Sequence, residues 1–187
     1  MKKLPLIGFT GKAGVGKDTA ASRLVHAHGY ERYAFASPIK SMLGVLGFPE
    51  HLFTDHVTKE AVIQDLGCSY RKLAQTLGTD WGRSIHPEFW LIQAKRVYAR
   101  VCRDEHAAGF VISDVRFENE AEWIRSEGGT VIHIMGRETT VDGTAAQHVS
   151  EGGVLFHPDK DVLVGNSGTI GDLFKSIDAT LQELANV

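Results

Sequence analysis

Short apolar runs alternate with amphipathic stretches along most of the chain. Leu4–Phe9 (LPLIGF) is apolar and ends towards glycine, the form of a strand buried on both faces. Lys17–His28 then places Ala20, Ala21, Leu24 and Val25 on one face of a helix. Tyr30–Ala36 predicts a second strand, and a helix opens at Pro38. Phe48–Lys59 has Pro49, several polar residues and no period, so an irregular surface excursion is expected. From Tyr70, YRKLAQTLGTDWGR reads as a helix followed by a Gly-Thr-Asp turn. A long helix is expected over about Pro87–His106, where Trp90, Ala94, Val97, Tyr98 and Val101 fall at helical spacing. Gly109–Val115 (GFVISDV) is the clearest buried strand. It is followed by a helix over Glu118–Ser126, closed by Gly128-Gly129, and a strand over Thr130–Met135. Gly136–Lys160 shows no period and reads as a loop or lid. Asp161–Asn166 and Thr169–Ala185 are the last strand and helix.

Strands alternating with helices predict an α/β fold: a central parallel five-stranded sheet with helices on both faces. A length of 187 residues suits one sizeable core, and no repeat or low-complexity linker marks a boundary. A single domain over 1–187 is therefore expected. Net charge is −3, which argues against a general nucleic-acid or membrane-surface binder. Cys68 and Cys102 are too few and too far apart for a disulfide scaffold or zinc site, and suit a reducing cytoplasm. No apolar run approaches the ~18 residues of a membrane span. The basic-then-apolar N-terminus runs straight into a glycine loop, so it reads as a strand and not a signal peptide.

That loop carries the strongest chemistry. G-x-x-x-x-G-K is complete from Gly11 to Lys17. Gly11, Gly14 and Gly16 let backbone N–H groups turn inward around phosphate oxygens, with Lys17 and the helix N-terminus adding positive potential. The next position, where a Ser or Thr hydroxyl would meet Mg²⁺, is Asp18, with Thr19 one step on. Asp18 has two readings: service to Mg²⁺ through water, or a negative charge in the first helical turn. Basic and acidic residues recur where strands end: Lys40, Arg71 with Lys72, and Asp114 with Arg116. In open α/β sheets, ligands bind at that edge. Each has a plainer reading as a surface charge or structural ion pair, and Trp81 and Trp90 as core residues. None of the nine histidines has a metal-ligand partner at i+4, so no zinc site is expected.

Taken together, GKAGVGKDTAA, YAFASPIKSML, RKLAQTLGTDWGR…EFWL, VISDVRFENEAEWIRSEGGTVIHI, HVSEGG and DVLVGNSGTIGDLFKSI resemble the phage-type deoxynucleoside monophosphate kinases. The resemblance covers nearly the whole chain, and LGTD with DVRFENE is far more specific than the loop. It implies a three-layer P-loop kinase fold with an acceptor-binding insertion over about 38–106 and a lid over about 136–160. ATP and Mg²⁺ would be the cofactors, and a deoxynucleoside monophosphate the acceptor. Gly14, Val15, Gly16, Lys17, Asp18 and Thr19 would bind the ATP phosphates, and Asn166 would lie near the donor base. Lys12, Ser37, Lys40, Arg71, Gly78, Thr79, Trp90, Asp114, Arg116 and Glu120 would surround the acceptor. Trp90 would stack on its base or crowd the 2′ position. Ser37 stands where such kinases often carry Gly or Asp. Arg137 would be a lid arginine, while His148, Ser150 and Glu151 match a family segment of no derivable role. A homodimer, a viral origin and location in a host cytoplasm are likewise implied by the family alone. Competing readings are another small-molecule P-loop kinase, of dephospho-coenzyme A or phosphomevalonate type, and a nucleotide-binding switch ATPase.

Overall fold

The computed structural model describes residues 4–53, 56–136 and 153–186. Along the chain the elements are β1 (Leu6–Thr10), α1 (Lys17–His28), β2 (Tyr30–Tyr33), α2 (Ala36–Val45), α3 (His56–Glu60), β3 (Val62–Ile63), β4 (Cys68–Ser69), α4 (Tyr70–Gln75), α5 (Phe89–Val101), β5 (Gly109–Ile112), α6 (Glu118–Ser126), β6 (Thr130–Gly136), β7 (Asp161–Asn166) and α7 (Ile170–Ala185). They fall into two compact units: one of residues up to Ala34 with those from Val97 onward, the other of Phe35–Arg96.

The first unit holds the five-stranded sheet in the order β2-β5-β1-β6-β7, every pair parallel. β1 is central and buried at each position, because its apolar residues face helices on both sides. On one face, Ala20, Ala21 and Leu24 of α1 and Leu173 and Ile177 of α7 pack on Ile7, Phe9, Val111, Ile132 and Val164. Ala121 and Ile124 of α6 are fully buried, as is Phe110, against which Tyr98 of α5 lies. Each fully buried Leu, Ile or Phe side chain contributes about 1.5–3 kcal/mol of transfer free energy. That burial fixes the strand order, which brings the ends of β1, β5 and β2 to one edge.

Several boundaries differ from the sequence expectation. β2 stops at Tyr33, and α2 begins at Ala36 with Pro38 in its first turn, where a missing N–H is harmless. β5 ends at Ile112, although Ser113 N still donates to Tyr33 O (3.1 Å) and Val115 N to Phe9 O (3.0 Å). α5 is shorter than the 87–106 pattern. Asp104 turns the chain away by accepting from the His106 amide at 2.9 Å, the side-chain bond that competes with helix.

In the second unit, the stretch expected to be irregular contains a 3₁₀ turn (Glu50–Phe53) and α3. The expected Gly-Thr-Asp turn is absent. The chain passes from α4 directly into a π-helical run over Thr76–Arg83. Packing overrides the turn chemistry here. Trp90 Nε1 donates to the Gly78 carbonyl at 2.6 Å, and a Cβ on Gly82 would stand 2.6 Å from the Trp90 ring.

Of the expected lid, residues 137–152 lie outside the described residues, and Arg137, His148, Ser150 and Glu151 with them. The described end of that segment is fastened to α6. Val154 is fully buried, Leu155 N donates to Glu118 Oε2 (2.7 Å), and Arg125 donates to Leu155 O (2.8 Å). Among the described residues, no helix is long and apolar enough to cross a membrane.

Candidate active site

The phosphate loop joins β1 to α1. Gly11, Gly14 and Gly16 adopt φ of 137°, 76° and 105°, in the region that glycine alone enters without strain. Gly16 is the N-cap of α1, and a Cβ there would lie 2.6 Å from the side-chain amide of Asn166. Lys17 Nζ donates to the carbonyls of Gly11 and Lys12, each at 2.7 Å, so the ammonium curls back over the loop. Burial and the positive charge of Arg116 push the Lys17 pKa below its ordinary value, while Asp18 and Asp114 pull it back up. Asp18, Asp114 and Arg116, singled out separately in the sequence, therefore all bear on Lys17 electrostatically within one unit.

Asn166 closes β7 and donates its side-chain N–H to the Val15 carbonyl at 2.9 Å. The residue expected near the donor base thus braces the loop from behind. Glu120 is also placed differently from expectation. It is 1% exposed, and its Oε2 accepts from the backbone amides of Arg116 (2.9 Å) and Phe117 (3.2 Å). It sits at the third position of α6, where a carboxylate satisfies unpaired N–H groups, and so shapes the turn that carries Arg116.

Asp18 lies in the first turn of α1, and its Oδ1 accepts from Arg32 Nη2 of β2. The same guanidinium donates to Ser113 Oγ, from Nε at 3.2 Å and Nη2 at 3.0 Å. Neither Arg32 nor Ser113 stood out in the sequence. The available signal was an arginine within a strand that ends at the ligand-binding edge.

The acceptor-side residues of the second unit are seen within that unit. Arg71 pairs with Glu60, and Lys40 with Glu50 at 3.5 Å. Ser37 and Thr79 are exposed, and Gly78 is buried. Trp90 is 4% exposed, packed edge-on against Phe89 with centroids 4.9 Å apart and bound through its indole N–H. Gly82, Phe89 and Trp81 surround its ring, as the core reading of Trp90 expects. Trp81, at 42% exposure, is the more accessible ring of that cluster.

Among the described residues, no group of three or more His, Cys, Asp or Glu side chains gathers as a metal cage. The Asp18 side chain is 81% exposed and stands next to Lys17. One carboxylate beside a phosphate loop fits Mg²⁺, which keeps several waters and takes its remaining oxygens from phosphates.

A central strand feeding a phosphate loop, its lysine and a helix, inside a five-stranded parallel sheet, is the architecture of the P-loop kinases. Shikimate kinase from Aquifex aeolicus has the same fold, with a TM-score of 0.55 at 14% identity, over 96% of this chain and 98% of that one. A family profile described as deoxynucleotide monophosphate kinase matches residues 48–177. A protein of Acanthamoeba polyphaga mimivirus assigned as a deoxynucleotide monophosphate kinase is 32% identical over 183 residues, covering 92% of this chain and 93% of its own. The deoxynucleotide monophosphate kinase of Enterobacteria phage T4 is 29% identical over 62% of this chain and 46% of its own length. The chain belongs to the deoxynucleotide monophosphate kinase family.

Proposed function

We propose that this protein transfers the γ-phosphate of ATP to a deoxynucleoside monophosphate, giving the deoxynucleoside diphosphate and ADP. The observation that carries the reading is the electrostatic grouping of Lys17 with Asp18, Asp114 and Arg116 in a chain of this family. A phosphate-loop lysine alone serves hydrolysis as readily as transfer. An arginine bearing on that lysine, Arg116, supplies the charge that a second phosphate requires.

The acceptor phosphate oxygen is already a nucleophile near neutral pH, so no general base is needed. It forms a new P–O bond to the γ-phosphorus as the bond to the β-phosphate oxygen breaks, and catalysis is positioning plus charge neutralisation. The loop amides and Lys17 hold the β- and γ-phosphates, Lys17 exchanging its two loop carbonyls for phosphate oxygens. Asp18 would hold Mg²⁺ through water, and the ion would supply positive charge that offsets the charge of the transferring phosphate. Arg116 is assigned to the acceptor phosphate, as the family resemblance also assigns Arg71, because a planar guanidinium gives paired contacts that lysine lacks. Asp114 orients Arg116 or the acceptor sugar, and Lys12, Lys40, Ser37, Gly78 and Thr79 complete the acceptor side. Arg137 is assigned to the transferring group by the family resemblance alone. On the same reading the protein works in the cytoplasm, a host's if its origin is viral, as a homodimer that light scattering would measure.

The test is an ADP-release assay with Mg-ATP against the four deoxynucleoside monophosphates, their ribose counterparts and dephospho-coenzyme A. Turnover with one or more deoxy acceptors, above that with ribose, is expected. Turnover with dephospho-coenzyme A alone, or ATP hydrolysis at full rate with no acceptor, would overturn the reading.

A further inference from the structure

The geometry points to Arg32 as a positioning residue: it holds Asp18 against Ser113, so that the carboxylate addresses the metal nucleotide in one fixed orientation. This rests on the kinase reading above.

Arg32 occupies the penultimate position of β2, an edge strand paired to β5, and lies in register with Val111. Its side chain, 35% exposed, runs from the sheet edge to the first turn of α1. Nη2 spans two acceptors that are far apart in sequence, Asp18 Oδ1 and Ser113 Oγ, while Nε returns to the same Ser113 oxygen. Ser113 is 1% exposed and directly precedes Asp114. Its amide donates to Tyr33 O at 3.1 Å, so the backbone that carries the hydroxyl receiving Arg32 is tied to β2. One guanidinium thereby ties the helix that begins at the phosphate loop to the strand end that carries Asp114.

Stability does not account for this arrangement. An ion pair to a carboxylate whose side chain is 81% exposed gains little in water. Its effect is orientation. A carboxylate oxygen held by a guanidinium that is itself anchored on Ser113 loses rotamers it would otherwise sample, and groups that bond to a metal's ligands set affinity in this way. In ordinary phosphate loops the position after the lysine carries a short hydroxyl, which needs no such support. Aspartate is longer, more mobile and charged. Arg32 restrains the carboxylate through Oδ1, and Oδ2 would be the oxygen offered to the metal nucleotide. It also offsets the negative charge that Asp18 would otherwise set beside the triphosphate.

Arg32→Gln and Arg32→Lys separate these roles. Mn²⁺ binding to the protein–ATP complex, read by electron paramagnetic resonance, and binding of metal-free ATP, read by calorimetry, are measured beside the melting temperature. Arg32→Gln is expected to weaken Mn²⁺ in the ATP complex ~10-fold or more, the usual cost of losing a group that bonds to a metal's ligand. Metal-free ATP affinity and the KM for the acceptor should stay within about twofold, and Arg32→Lys should fall between the variant and the wild type. Unchanged Mn²⁺ affinity in folded Arg32→Gln would overturn the proposal. Equal loss of Mn²⁺-loaded and metal-free ATP would also overturn it, because Arg32 would then touch phosphate directly. If the wild-type protein bound neither form of ATP, the kinase reading itself would fail, and that result is distinct from both.

Discussion

Asn166, the last residue of β7, donates its side-chain amide to the Val15 carbonyl at 2.9 Å, and the same amide stands where a side chain on Gly16 would have to go. The far end of the sheet thus braces the phosphate loop. Removing a neutral hydrogen bond costs about 0.5–1.5 kcal/mol, or roughly two- to tenfold in affinity. Asn166→Ala is accordingly expected to raise the KM for ATP by about that factor and leave the acceptor KM unchanged. Gly16→Ala should be worse, since φ of 105° strains any side chain and the β-carbon meets Asn166. Binding of a fluorescent ATP analogue to both variants would check the order. If Asn166→Ala instead altered only the choice of donor base, Asn166 would be a base contact and not a brace.

Lys17 and Arg116 are expected to be jointly indispensable. The charge of Arg116 bears on Lys17, and each is assigned to a different phosphate. Lys17→Ala and Arg116→Ala should each lose at least ~10²-fold in kcat/KM, as for loss of one charge-stabilising donor. The split should differ: Lys17→Ala acts mainly on kcat and ATP, Arg116→Ala on the acceptor KM as well. Steady-state kinetics with each substrate varied in turn would show it, and near-normal activity in either variant would remove that residue from the site.

The sheet and the phosphate loop were legible in the sequence because their signals are local. Buried parallel strands are continuous apolar runs, and G-x-x-x-x-G-K places its glycines where backbone geometry demands them. Signals that depend on distant partners were not legible. The π-helical run over Thr76–Arg83 contains Gly78-Thr79-Asp80, which is good turn chemistry, and only Trp90, twelve residues beyond Gly78, turns the balance. Arg32 sits in an unremarkable strand, and its partners Asp18 and Ser113 are 14 and 81 residues away. The periodicity of a strand reports which face is buried and carries nothing about what a long side chain reaches at its end.

Trp90 gives a prediction that separates structure from substrate contact. Its indole N–H satisfies the Gly78 carbonyl within the π-helical run. Trp90→Phe leaves that buried acceptor without its donor, at a cost of about 1–3 kcal/mol. A lowered melting temperature with an unchanged ratio of deoxy to ribose turnover is expected. A changed ratio at an unchanged melting temperature would place the ring against the sugar instead.

The last prediction concerns acid. Asp161 of β7 is buried and receives Arg125 Nε at 2.9 Å and Nη2 at 2.7 Å, the His157 amide at 2.9 Å and His133 Nε2 at 3.1 Å. Burial alone would raise the Asp161 pKa, but Arg125, the His157 amide and His133 together hold it below its ordinary 3.8. His133, 1% exposed in β6, is lowered from its ordinary 6.5, chiefly by burial and against the pull of Asp161. Both groups therefore bind protons more readily in the unfolded chain than in the folded one. Stability supplied by a lowered pKa is complete above the unfolded value and is lost as pH falls through the folded one. For His133 the loss begins near its unfolded value of 6.5, and for Asp161 only below about 3.8. Urea unfolding at about pH 7.5 and about pH 5.5 should thus show the wild type less stable at the lower value. His133→Gln should shrink that difference, because glutamine does not titrate. Should the two proteins lose equal stability between those values, His133 is not the group responsible. Arg125→Met checks the other half of the cluster. It strands the buried Asp161 carboxylate, and a loss of about 3–5 kcal/mol is expected. The same change unfastens Leu155, so limited proteolysis near that residue should accelerate together with the loss of stability.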